Sequence, residues 1–488
     1  MKKMNKLALA AVLVLGLASA AQAADIKASG KWQIDASWSN DMDMNEATKE
    51  NNFRIEQRVR TAFQFIANEN LKGVLDTQIG TNAWGNGEYQ IGAGRTASTT
   101  AGGANTMGNG SIMLRKAYLD YKWPGTKVNI LAGFQTVSLP AAFGGGSAIF
   151  DDQVGALVVS APIIDNVKVL AGYARPFDSN TSGSQTVGTT GSTASNVYFA
   201  AVPIDLAGST NITPFGAFAD AGAQSILKND GTYSAPSGDT GFNSPRGGTK
   251  QGVKGYWGGV AFTTKLLDPF KIMADFNYGS VDYSEDNGGR SGWLADFAVD
   301  YTGLSMMTPE AFFVYSSGDD DSGNKRGGRM PTLGNPQSWS AGGMFFGDGD
   351  LISKGATKAD TGGYGYSTRN VMGFWTVGVS LKDIKLIDKL THRVNLLYVQ
   401  GTNDKDAMSG LSTTSGYGNN QYGRYLTTRD SLWEIDLNNK YQLYDELALQ
   451  LNLGYINADL HSYNGATTPA PKLDDSMYRV TMSMVYSF

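Results

Sequence analysis

The sequence predicts an all-β fold, an antiparallel up-and-down transmembrane β-barrel of about 18 strands, with 16 as the alternative count. Three observations predict it. Apolar and polar residues alternate with a period of two along most of the chain. The alternating runs are about 9–13 residues long, the length a tilted strand needs to cross a bilayer, whereas soluble strands are nearer 5–6. Short and long connectors take turns between the runs, so every strand reverses direction, with tight turns at one end and loops at the other.

The chain opens on Lys2, Lys3 and Lys6, then an apolar run from Leu7 to Leu17 and an Ala21-Gln22-Ala23 end. That order describes a cleaved export signal over 1–23, leaving a single barrel domain over 24–488. The formal charge of −5 becomes −8 once the three signal lysines are removed. No downstream stretch reaches the roughly 18 apolar residues of a spanning helix.

The strands follow in order. In 26–38, Ile26, Ala28, Gly30, Trp32, Ile34, Ala36 and Trp38 share one face, and Lys27, Lys31, Gln33 and Asp35 share the other. In 53–66, Phe53, Ile55, Val59, Phe63 and Phe65 oppose Arg54, Glu56, Arg58 and Arg60. Further strands are expected at 71–81, 112–122, 127–135, 154–162, 166–174, 195–203, 211–219, 255–265 and 270–283. The last seven fall at 292–301, 308–316, 371–382, 391–401, 431–442, 447–458 and 477–488, where Tyr478, Val480, Met482, Met484, Tyr486 and Phe488 line one face. The short connectors are Asn68-Glu69-Asn70, Pro124-Gly125-Thr126, Ile163-Ile164-Asp165, Leu266–Pro269 and Leu443–Glu446. The long ones (82–111, 175–194, 220–254, 317–370, 402–430 and 459–476) are rich in Gly, Ser, Thr, Asn and Asp. Trp293 and Tyr301, eight residues apart on the apolar face, suit the two aromatic girdles of a lipid-facing band.

Composition excludes most other chemistry. Zero cysteines rule out thiol nucleophiles, disulfide scaffolds and thiolate metal sites. Two histidines, His392 and His461, leave triad or histidine-metal chemistry almost nothing to work with, so no catalytic site, metal or cofactor is expected. Gly318–Asn324 and Asn403–Asp406 lack the spaced acids and terminal Glu of a calcium loop and read as solvated loop tips. Basic residues form no nucleic-acid groove.

A barrel of this size encloses water, so its polar face is expected to line the lumen. On that face Arg54, Arg58 and Arg60, with Glu56, form a ladder, and Lys116 and Asp120 lie on the fourth strand. Lys and Arg outnumber Asp and Glu slightly there, which favours anions; the alternative is a solvated wall of mutually paired charges. The connector 136–153 carries Leu139–Gly146 and then Phe150-Asp151-Asp152, and is less polar than the other loops. It is expected to fold into the lumen with Asp151 and Asp152 facing the arginines; the alternative is an outer loop with two solvated acids. Tyr118, Tyr198 and Tyr256 are candidates for inward aromatics, too scattered to make a sugar track.

With the signal, the strands, the third-loop position, the arginine ladder and the terminal Tyr486-Ser487-Phe488, the chain resembles Gram-negative outer-membrane trimeric porins. Among these it is most similar to the homotrimeric porins of sulfate-reducing bacteria. The resemblance implies an outer-membrane homotrimer in contact with lipid that passes small hydrophilic solutes and inorganic ions by diffusion. It also implies that Tyr486 and Phe488 are read by the barrel-assembly machinery. The other functions weighed are a substrate-specific channel and a structural or adhesive barrel without conductance.

Overall fold

A computed structural model describes residues 25–40, 51–84, 112–178, 194–206, 208–221, 253–283, 289–320, 326–333, 339–344, 352, 356–357, 365–366, 373–405, 426–460 and 476–488. The expected signal over 1–23, His461 and most of the long connectors lie outside the described residues.

Eighteen long strands form one closed antiparallel sheet. The first six are β1 (Asp25–Asn40), β2 (Asn51–Asn68), β3 (Leu71–Ala83), β4 (Ile112–Lys122), β5 (Asn129–Ser138) and β6 (Asp151–Ile164). Next come β7 (Val167–Asp178), β8 (Ala194–Ala201, continued by Ile204–Leu206), β9 (Thr210–Ala221), β10 (Val253–Leu267), β11 (Phe270–Tyr283) and β12 (Gly289–Tyr301). The last six are β13 (Thr308–Ser316), β14 (Phe374–Ile387), β15 (Leu390–Gly401), β16 (Ser431–Tyr444), β17 (Leu447–Asp459) and β18 (Ser476–Ser487). Each expected strand is present, and the count is 18, not 16.

Closure is made by β1 and β18, in register from Lys31↔Ser487 to Ser39↔Arg479. The terminal residue extends that seam: Gly30 N–H donates to the Phe488 carbonyl at 2.8 Å, and Phe488 N–H donates to the Gly30 carbonyl at 3.1 Å. A Cβ on Gly30 would stand 2.5 Å from the Phe488 ring and 2.6 Å from the Arg60 carbonyl. Only glycine lets the last strand seat here. Closure matters because hydrocarbon leaves no partner for an open strand edge.

The outward face is a continuous apolar belt. Near the loop ends its rings stand side by side across neighbouring strands. Tyr173–Tyr198, Tyr198–Phe218 and Phe218–Tyr256 centroids lie 5.3, 6.3 and 5.0 Å apart. The row resumes with Trp293–Tyr315 at 4.6 Å, Trp375–Tyr398 at 5.3 Å and Tyr398–Trp433 at 4.9 Å. Two residues beyond it the register aligns Asn196, Asp220, Lys254 and Asp282 as a polar row. Apolar wall, aromatic row, charged row is the sequence of environments at a membrane surface. A second set of rings, Phe270–Tyr301 and Tyr121–Trp123, marks the turn ends. Tyr198 and Tyr256 are half exposed and belong to the outer row, which corrects their expected place inside the lumen.

The inner face also differs from the expectation of a uniformly polar lining. Val197, Phe199, Phe215, Trp257, Phe312, Leu397 and Val399 point inward and are buried. They join one apolar core with residues from two connectors that enter the lumen. Where a strand is covered on both sides its sequence loses alternation, as in Ala311-Phe312-Phe313-Val314-Tyr315.

Candidate channel constriction

The first connector is 139–150, between β5 and β6. Leu139, Phe143, Ala148, Ile149 and Phe150 are all buried. Gly144 and Gly145 have φ of +81° and +78°, a turn that side chains resist. A Cβ on Gly144 would lie 2.6 Å from the Trp339 indole, so the glycine also allows close approach. The turn projects the segment to the far wall. There the Asp275 carboxylate on β11 accepts from the backbone N–H of Ala142 at 2.8 Å and of Phe143 at 2.9 Å. The Phe143 ring packs 5.5 Å from Phe312 on β13. The expected inward fold of this connector is therefore observed.

The second connector, between β13 and β14, enters from that far wall and returns to the seam. Trp257 Nε1 donates to the Pro331 carbonyl at 2.9 Å. Leu333 N–H donates to the Ile149 carbonyl at 2.9 Å, and Ser340 N–H to the Gly144 carbonyl at 2.9 Å, tying the two connectors together. Trp339 is 2% exposed, between Gly144 and Phe374. Further on, Ile352 N–H donates to Asp35 Oδ2 of β1 at 2.6 Å, and Arg58 Nη1 of β2 donates to the Ile352 carbonyl at 3.1 Å. The pair thus bridges the barrel between two buried carboxylates, Asp275 on one wall and Asp35 on the other.

The arginine ladder does line the lumen, but its members have different employments. Arg54 pairs with Glu56 at 3.0 Å, Arg58 holds Ile352, and Arg60 Nε donates to Gln78 Oε1 at 2.8 Å. Lys116 stands opposite Asp76, which Arg115 pairs at 3.0 Å, and Asp120 pairs with Lys72 at 3.0 Å. This arc is a wall of mostly paired charges, the alternative weighed from the sequence.

Two expectations are corrected. Asp151 and Asp152 do not sit on the inserted connector; they are the first residues of β6, opposite Ser138 and Val137. The strand continues to Asp151 because β5 keeps pairing through Ser138, which shortens the connector from both sides. Asp151 is buried, and Asp152 Oδ1 accepts from the Gln153 amide. The acids that meet the connectors come instead from the wall, as Asp275 and Asp35. Asp319, expected at a solvated tip, is buried: Arg290 and Arg329 approach it at 3.6 Å each, and its Oδ1 accepts from the Arg329 amide at 3.0 Å. The connector folds back there onto Arg290 of β12 and brings Arg329 with it.

Asp275 was the residue sequence reasoning missed. Its signal is faint but physical: an inward acid between inward Met273 and Asn277, with no base on the adjoining rungs. Among the described residues, no group of three or more His, Cys, Asp or Glu side chains gathers as a metal site.

These features define a class: an outer-membrane β-barrel of porin-like architecture, with its lumen narrowed by two wall-anchored connectors. No family model and no curated protein matches the chain. Among solved structures it is similar in fold to OpdL of Pseudomonas aeruginosa, with a TM-score of 0.50 and 11% identity over 95% of this chain and 99% of that one. The outer membrane protein OprD of the same organism gives a TM-score of 0.49 and 12% identity over 94% of each chain.

Proposed function

We propose that the chain is a water-filled outer-membrane channel through which small hydrophilic solutes and ions diffuse passively, with a mild preference for anions. What carries this reading is the contrast between the two parts of the lumen. The acids of the loop half, among them Asp35, Glu56, Asp275 and Glu434, are buried, Asp35 and Asp275 against the connectors. Toward the turn end, Lys31, Lys271, Arg393 and Lys440 point inward and are only partly covered or exposed, while Lys72 and Lys382 offset Asp120 and the pair Asp300 and Glu310. Mobile ions therefore meet more positive than negative charge, which concentrates anions and slows cations. Homotrimer formation, and recognition of Tyr486 and Phe488 by the assembly machinery, come with the porin resemblance and belong to the same proposal.

A substrate-specific channel is the second reading. It is favoured by the apolar packing that fills the loop half, because a narrow remaining passage discriminates by shape. Replacing Arg54, Arg58 and Arg60 with glutamine is expected to lower the anion-to-cation permeability ratio in planar bilayers. An unchanged reversal potential under a salt gradient would remove the ladder from selectivity. Current steps that a single solute blocks at low concentration would favour the second reading. A membrane-inserted barrel with no current steps would point to a structural or adhesive role.

A further inference from the structure

Beneath the first connector its anchor, Asp275, stands beside a second acid, Asp296, to which the channel reading gives no role. Asp275 on β11 and Asp296 on β12 are direct cross-strand partners, both inward and both about 5% exposed. The Asp275 carboxylate is occupied by the amides of Ala142 and Phe143. Among the described residues, no donor stands in hydrogen-bond geometry to either carboxylate oxygen of Asp296. Like charges directly opposite each other on a sheet repel, and a buried carboxylate without a partner is costly.

Among the described residues, the surroundings supply no uncommitted compensating base. On β11 the next inward residues are Met273 and Asn277, with Lys271 one rung further, opposite Asp300. On β12 they are Leu294 and Ala298, and below them Asp300. β13 contributes Glu310, and β14 contributes Lys382, whose Nζ bonds Asp300 at 2.6 Å and Glu310 at 2.8 Å. From β10 the inward neighbours Trp257, Gly259 and Ala261 are uncharged, and the connector 139–150 has no charged residue. Of the two lysines nearest among the described residues, Lys271 stands opposite Asp300 and Lys382 is committed to Asp300 and Glu310.

We propose that the Asp275–Asp296 pair shares a single proton, and that this proton secures the first connector to the wall. Two adjacent carboxylates sharing one proton is a recurrent solution to burial, because two like charges so close cannot both persist. The coupling runs through Asp275, because the oxygens that face Asp296 also hold Ala142 and Phe143. With the proton lost, repulsion pushes Asp275 away from its partner and weakens its grip on those amides.

The chain has no cysteine, so a single thiol reports on the connector. Ala148→Cys places it at a position 4% exposed, where a maleimide reacts only when the connector lifts. The reaction is followed on the full-length barrel in detergent, with and without Asp296→Asn, across pH and with EDTA or added magnesium. Asp296→Asn lets an amide N–H donate to Asp275, so no shared proton is needed. Faster labelling at alkaline pH that disappears in the Asp296→Asn background supports a proton. Faster labelling with EDTA, reversed by magnesium and absent in that background, would place a metal ion there instead and overturn the shared proton. Comparing the two backgrounds at each pH cancels the ionisation of the thiol itself, and heat-modifiable migration verifies that each variant is folded. Equal dependence in both backgrounds, or none in either, overturns the proposal. The readout needs no ion conduction, so it stands or falls separately from the channel reading.

Discussion

Asp275→Ala is expected to enlarge the single-channel conductance and add rapid flicker. The substitution removes the acceptor for the Ala142 and Phe143 amides, both bonded at 2.8–2.9 Å. Hydrogen bonds to a charged group contribute about 1.5–3 kcal/mol each, and relief of the repulsion from Asp296 returns part of that. A net loss of about 3 kcal/mol moves the ratio of seated to released connector by roughly two factors of ten. The connector spans the lumen, so its release widens the path directly. Bilayer recordings of this variant beside the unaltered protein check the claim. Identical conductance and noise would mean that the connector does not set the aperture.

Trp339→Ala is the second large expectation. The side chain is 2% exposed, packs against Gly144 and lies 6.3 Å from the Phe374 ring. Truncating a buried aromatic costs about 3–5 kcal/mol, and here the cavity opens between the two connectors. Both are expected to loosen, so the variant should again conduct more and show a lower thermal transition for its loop half, while heat-modifiable migration of the wall persists. Trp339 and Asp275 hold the same segment, so their double variant should show less than the sum of the single effects. Strict additivity in conductance and melting would show that the connectors are seated independently.

Why the wall was legible and the lumen was not follows from one physical difference. A lipid-facing strand must place hydrocarbon at every second position, and its partner face must be water-compatible or packed. That rule wrote Trp375, Val377, Val379 and Leu381 on one face of β14, and it placed Arg54, Glu56, Arg58 and Arg60 on the lumen side of β2. The lumen obeys a looser rule. Phe312 and Val314 are as apolar as outward Phe313 and Tyr315, so periodicity alone does not say that an inserted connector covers them. The low polarity of Leu139–Gly146 did mark the connector that inserts. Asp151 and Asp152 misled because they sit next to it in sequence, whereas its true anchor, Asp275, lies more than 120 residues away. The second connector runs mostly through glycine and polar residues, and its anchorage on Asp35 and Arg58 depends on backbone atoms of Ile352, which leave no side-chain pattern.

The most direct test of the whole account is a single-channel recording of the unaltered protein in a planar bilayer under a potassium chloride gradient. A conducting, partly occluded lumen with a basic turn end predicts discrete ohmic steps and a reversal potential displaced toward chloride. Barrels shown to be inserted and folded that pass no current, or that reverse at the potassium potential, would contradict it.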